Sequence, residues 1–242
     1  MENSVKLEVL KRDDAISIGD MVCLYCEESR GFVFNYQSSS AHSELGVQNE
    51  VTKENPSLPN IKSAVFKICV QNRYKFNKEL PKIKESISKD PTNMALQEQL
   101  NEIELAAEAE NQDNTAEQKR QAGAQLLYGQ IIQLQHYFTD KFVHVTTTQT
   151  AWTETSNILV ELKPENAKSA LLKIMPRYKV KAEGDYVHSD DQIVLESVKS
   201  PGQFLHCSRP NFGFRMVYTN SRELNLSVRP SSFSILRFCQ SD

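Results

Sequence analysis

Phe66-Lys67-Ile68-Cys69, Leu172-Lys173-Ile174-Met175 and Phe233-Ser234-Ile235-Leu236 are three copies of one short element, with large apolar side chains at its first and third positions. Residues two apart share one face of a strand, so Phe66 with Ile68, Leu172 with Ile174, and Phe233 with Ile235 form one repeated apolar layer. A companion element lies upstream of each copy: Gly19-Asp20-Met21-Val22, Gly129-Gln130-Ile131-Ile132 and Asp191-Gln192-Ile193-Val194. From the second copy to the third, the companion advances 62 residues (191 − 129) and the strand element 61 (233 − 172). From the first to the second, the steps are 110 (129 − 19) and 106 (172 − 66). The excess, 48 by one element (110 − 62) and 45 by the other (106 − 61), falls between Phe66 and Gly129.

The segment that fills this excess differs from its surroundings. Residues 78–121 carry six basic and ten acidic side chains and no aromatic one, a local net of −4. Leu96, Leu100, Ile103 and Ala107 recur at helical spacing, a narrow apolar stripe. Asp90-Pro91 reads as an N-cap followed by the first helical residue, and Thr115 through Gln118 as a capping box. These signals predict a helical hairpin. Elsewhere Val, Ile, Phe and Tyr alternate with polar residues between Gly, Pro, Asn and Ser clusters, the pattern of short strands; residues 38–59 read as a polar surface loop. Each unit of about 60 residues is too small to bury its own apolar face, so three must pack together. The expectation is an all-β fold, a β-trefoil of three pseudo-repeats. It spans residues 1–242 as a single domain, with the helical arm inserted at about 78–121.

Composition excludes several functions. The 242 residues hold 28 Lys and Arg against 31 Asp and Glu, a net charge of −3 that gives no basic excess for nucleic acid. Apolar residues make up 39%, below the usual 45–50%, and the polar insert accounts for the dilution. The first residues hold no long apolar run of a secretory signal. The longest uncharged stretch, 121–139, contains five Gln and a His, which lipid would not accept. Five Cys without disulfide-like spacing indicate a reducing compartment.

No catalytic, metal or cofactor site emerges. Cys23 and Cys26 lack a second ligand pair and lie three apart, on opposite faces of a strand. The same holds for the neighbours His206 and Cys207 as a Cys–His pair. Only 8 Gly are present, with no phosphate-cradling loop. The one Trp, Trp152, lies outside the repeat and does not support a sugar-binding reading. From 172 to 181, Lys173, Arg177, Lys179 and Lys181 alternate with Leu172, Ile174, Pro176, Tyr178 and Val180. Strand alternation would put those four cations on one outward face, suited to an anionic ligand or an acidic protein surface.

Several stretches resemble the N-terminal suppressor domain of inositol trisphosphate receptors, intracellular calcium-release channels, and more distantly that of ryanodine receptors. They are Ile18-Gly19-Asp20 with Cys23-Leu24-Tyr25; Val65 to Cys69 with Asn72-Arg73-Tyr74; Tyr128-Gly129 with Ile132-Gln133-Leu134 and His136. Pro176, Tyr178-Lys179, Gly184-Asp185, Val187 and Val194-Leu195 continue it, and Gly202-Gln203, Leu205-His206 and Ser208 complete it. It runs in order from about Ala15. The resemblance implies a trefoil head with a helix-turn-helix arm, and no enzyme. It implies a regulatory module that lowers inositol trisphosphate affinity in an adjacent ligand-binding core and couples binding to gating, without binding the ligand itself. Implied partners are that core and neighbouring subunits of a tetramer at the cytosolic face of the endoplasmic reticulum; no cofactor, nucleic acid or membrane insertion is implied for this soluble segment. By position, Tyr36, Gln37, Ser38 and His42, together with Lys173, Arg177, Lys179 and Lys181, form the implied interface. The loop after Gly31-Phe32-Val33, apolar and acidic in well-known members, is polar and small here. Two other readings compete: a stand-alone phosphate- or inositol-phosphate-binding trefoil using the four cations, and a trefoil of the mannosyltransferase-associated type. The second would need a lumenal setting.

Overall fold

In a computed structural model, residues 14–36, 44–48, 53, 61–164, 167–209 and 221–238 are described. Twelve strands occur among them: β1 (Met21–Cys26), β2 (Gly31–Tyr36), β3 (Glu44–Gln48), β4 (Phe66–Val70), β5 (Ile131–His136), β6 (Phe142–Thr150), β7 (Ile158–Lys163), β8 (Leu172–Pro176), β9 (Gln192–Ser197), β10 (Phe204–Cys207), β11 (Ser221–Ser227) and β12 (Phe233–Arg237). Two α-helices, α1 (Lys75–Lys89) and α2 (Met94–Gln121), lie between β4 and β5. The protein is mostly β-sheet.

Strand pairing repeats three times. The pairs β1–β4, β4–β5, β5–β8, β8–β9, β9–β12 and β12–β1 close a ring of six antiparallel strands. The hairpins β2–β3, β6–β7 and β10–β11 meet one another through β3–β7, β7–β11 and β11–β3. Closure leaves none of the six ring strands with an open edge. The repeated layer fills the interior: Phe66, Ile68, Leu172, Ile174, Phe233 and Ile235 are all buried in one apolar cluster. Their ladder partners Val22, Ile132 and Ile193 are buried beside them. Each such side chain contributes about 1.5–3 kcal/mol by leaving water.

The turns before the ring strands repeat atom by atom. The N–H of Ile16 bonds Val187 O, that of Val187 bonds Leu126 O, and that of Leu126 bonds Ile16 O, at 2.8, 2.9 and 2.7 Å, a cycle of three backbone bonds. The N–H groups of Gly19, Gly129 and Asp190 bond the carbonyls of Ile68, Ile174 and Ile235. All three residues have positive φ: 95°, 91° and 70°. Gly takes that region without cost, and Asp is among the few other residues that enter it. This corrects the third copy of the companion element, which starts at Asp190 rather than Asp191. With that shift, Gly129 to Asp190 and Leu172 to Phe233 are equal steps of 61 residues (190 − 129; 233 − 172).

The helices begin and end differently from the sequence expectation. α1 starts at Lys75, three residues before the expected bound. α2 is capped by Asn93, whose side chain accepts from the N–H of Leu96 at 3.2 Å. Asp90 instead ends α1, its N–H bonding Ser86 O, because Pro91 and Thr92 make a turn before the second helix begins. Thr115 starts no helix: it lies inside α2, its hydroxyl donating to Asn111 O. Apolar burial in the arm is slight. No residue of α1 is buried, and in α2 the buried residues are Ala107, Glu110 and Asn114.

Polar bonds hold the base of the arm instead. Glu110, Asn114 and Gln118 follow at four-residue spacing on one face of α2 and bind the backbone from the end of β4 to the first turn of α1. Glu110 accepts from the N–H groups of Lys75, Phe76 and Asn77 at 2.6, 3.2 and 3.0 Å, capping α1 with a charge at its positive end. Burial works to raise the Glu110 pKa, but these donors together hold it below its ordinary value. Asn114 accepts from the Arg73 N–H at 2.8 Å and donates to Arg73 O at 3.0 Å. Gln118 donates to Val70 O at 3.1 Å and to Asn72 Oδ1 at 3.0 Å.

Candidate interaction surface

Of the eight residues expected at an interface, Gln37, Ser38 and His42 lie outside the described residues, and Tyr36 is the last residue of β2. The other four come together less than strand alternation predicted. β8 ends at Pro176: Arg177 N bonds Gln192 O, and the chain then turns, with Lys181 N on Tyr178 O and Ala182 N on Asp185 Oδ2. Gly184, with φ of 93°, brings the chain back to donate to Tyr128 O at 2.9 Å. Alternation beyond Pro176 is therefore lost. Lys173 stays on the strand, half-buried and paired with Glu183, which raises its pKa above the ordinary value. Arg177 and Lys179 are exposed and Lys181 is half-buried.

Loss of alternation has a second consequence. Tyr178 and Val180, expected to face inward, are 58% and 86% exposed, and Tyr186 is 49% exposed. The loop 177–186 thus shows two aromatic rings and a valine beside an arginine and a lysine. Exposed aromatic groups with Arg are the composition enriched in protein interfaces. With Lys173 tied to Glu183, the four cations do not make the single face that a phosphate ligand would need.

The groups considered for chemistry are structural. Cys23 and Cys26 face opposite sides of β1 and enter different apolar clusters. Burial pushes the Cys23 thiol up to about 12 and Cys69 up to about 11, so neither is a ready nucleophile. Cys207 turns into the core while His206 faces the other way. There His206 Nδ1 lies 3.2 Å from Ser231 Oγ, and Nε2 lies 3.4 Å from Glu154 Oε2. This trio has the composition of a hydrolytic triad. Ser231, however, is buried, and its oxygen accepts the N–H of Cys207 at 3.0 Å, so it anchors the end of β10. Among the described residues, no group of three or more His, Cys, Asp or Glu could hold a metal ion. None of the described helices is long and apolar enough to cross a membrane.

Residues 11–241 match the family model described as inositol 1,4,5-trisphosphate/ryanodine receptor. The chain is 26% identical over 237 residues to the inositol 1,4,5-trisphosphate receptor itr-1 of Caenorhabditis elegans. That match covers 92% of this chain and 8% of the relative, so the chain spans a small part of that protein's length. Two solved structures share the fold at 11% identity. One, a Caenorhabditis elegans protein of unknown function, has a TM-score of 0.58 and covers 94% of this chain and 98% of its own. The other, the SDF2-like protein from Arabidopsis thaliana, has a TM-score of 0.56 with 92% and 94% coverage.

Proposed function

Because this chain belongs to the inositol 1,4,5-trisphosphate/ryanodine receptor family, we propose that it is the regulatory N-terminal domain of an intracellular ligand-gated calcium-release channel, and not an enzyme. In this reading residues 1–242 are one β-trefoil, and the arm of α1 and α2 is its insertion. The threefold strand pairing and the equal 61-residue steps support the trefoil (190 − 129; 233 − 172). The domain docks on the ligand-binding core of its own receptor and on neighbouring subunits of a tetramer at the cytosolic face of the endoplasmic reticulum. Docking lowers inositol trisphosphate affinity and transmits binding toward the gate. The energy involved is a coupling free energy of about 1–3 kcal/mol between docked domains.

One observation carries the docking surface: the loop 177–186 leaves Tyr178 and Val180 in solvent beside Arg177 and Lys179. Tyr178→Ala and Val180→Asp should each weaken the affinity of this chain for the separated ligand-binding core about tenfold, as central apolar contacts do. Titration by interferometry reads this directly. Unchanged affinity in both variants, with parental melting temperatures, would remove this loop from the interface.

A further inference from the structure

A second surface shares no residue with that loop. An open groove of about 1480 Å³ runs between the arm and the barrel. Its arm wall carries Arg73, Lys75, Lys78 and Arg120, and its barrel wall Lys168 and Lys199. Among the described residues two carboxylates line it, and both are occupied: Glu117 pairs with Arg120, and Glu110 caps α1. Among the described lining residues, six cations against two carboxylates leave a formal +4, in a chain whose net charge is −3. Among the described residues, no carboxylate lies within ion-pair distance of Arg73, Lys75, Lys78, Lys168 or Lys199, though the charge of Arg73 reaches Glu117. Apolar side chains with open surface share the lining: half-buried Phe76, Ile131 and Val198, and exposed Pro81.

We infer that this groove is a docking site for an acidic polypeptide segment with interspersed apolar side chains. Cations on facing walls of a cleft focus a positive potential into it, where an isolated surface lysine is screened within about 8 Å by physiological salt. The occupant must therefore bring several carboxylates. It must also cover Phe76, Ile131, Val198 and Pro81, which a bare anion cannot do. Pockets for small molecules hold about 300–1,000 Å³, so this open groove suits a length of chain better than a compact ligand. Its concavity is the wrong shape for a planar lipid surface. Because the two walls belong to different elements, an occupant also clamps the arm against the barrel.

The test needs only this chain and does not depend on the receptor reading. A fluorescein-labelled peptide of Glu-Glu-Leu-Ala repeats is titrated with the chain and followed by anisotropy. Saturable binding is expected, weakening with added salt, and a Gln-Gln-Leu-Ala peptide should bind at least about tenfold more weakly. The pairs Arg73→Glu with Lys78→Glu, and Lys168→Glu with Lys199→Glu, come from opposite walls and should each weaken binding about tenfold or more. Lys89→Glu, at the far end of α1, should bind as the parent does. Melting curves show which variants fold; the salt series and the Gln peptide, run on the parent, decide the matter even where a variant does not. The inference is overturned by an absence of saturable binding, by equal binding of the Gln peptide, by parental affinity in both wall pairs, or by displacement of the peptide by inorganic phosphate at equal concentration.

Discussion

Replacing Glu110, Asn114 and Gln118 together by Ala should release the arm while leaving the barrel intact. In α2 these three side chains bind the backbone of residues 70–77, and little apolar surface assists them. A net neutral hydrogen bond contributes about 1 kcal/mol and one to a charged group about 1.5–3. Counting one neutral contribution each for Asn114 and Gln118, and a charged one for Glu110, gives about 3–5 kcal/mol. Amide protection in α1 should therefore fall by about two to four powers of ten, at 1.4 kcal/mol per factor of ten. The six ring strands hydrogen-bond one another's backbone, and among the described residues α2 meets them at Val70, the end of β4, so their protection should hold. Native-state hydrogen exchange followed by mass spectrometry separates the two regions. Parental protection in α1 would refute the polar anchoring of the arm. A uniform loss through both regions would refute its independence from the barrel.

Other expectations follow from single positions. Gly31→Ala would place a methyl group 1.4 Å from Gln48 O, so its chemical denaturation should show a loss of about 4 kcal/mol or more, or no folded state. Ile174→Ala, in the buried repeat layer, should cost about 2–5 kcal/mol in the same measurement, and a cost near that of a surface change would put Ile174 on the wrong face. Burial holds the His136 pKa below its ordinary value, with the bond to Ser63 O opposing in part. The unfolded chain then takes up this proton more readily. The stability from neutral His136 is complete above about pH 6.5 and declines as pH falls toward the folded value, by about 1.4 kcal/mol per unit of depression. Urea midpoints across that range should fall less steeply for His136→Asn than for the parent. Replacing residues 75–121 with a short Gly/Ser linker should leave a cooperative thermal transition, since the arm buries almost no apolar residue.

Much of the barrel was legible because threefold packing imposes the same apolar pattern three times. Phe66, Leu172 and Phe233 mark equivalent ladder positions, and the surplus spacing marked the insert. What deceived was chemistry that changes while backbone geometry does not. At the third turn Asp190 does the work of Gly19 and Gly129, and matching residue types moved the copy by one position. Helix caps were misplaced for a similar reason: Thr115 with Gln118 has the letters of a capping box, but nothing in those letters says that the helix is already under way. In the region of the interface, period-2 reasoning was sound to Pro176 and failed beyond it, where the chain turns with Lys181 N on Tyr178 O and Ala182 N on Asp185 Oδ2. The polar ladder of α2 was missed because helical periodicity was sought among apolar residues. Glu110, Asn114 and Gln118 repeat every four residues, and that spacing was available in the sequence.

The proposed regulatory role requires this chain to alter ligand affinity elsewhere in its receptor. The most direct measurement is an inositol trisphosphate titration of the ligand-binding core alone, the core joined to this chain, and the joined form bearing Arg177→Glu and Lys179→Glu. The joined form should bind about fivefold more weakly than the core, the lower end of the coupling range, and charge reversal should restore part of the difference. Identical affinities in all three would contradict it.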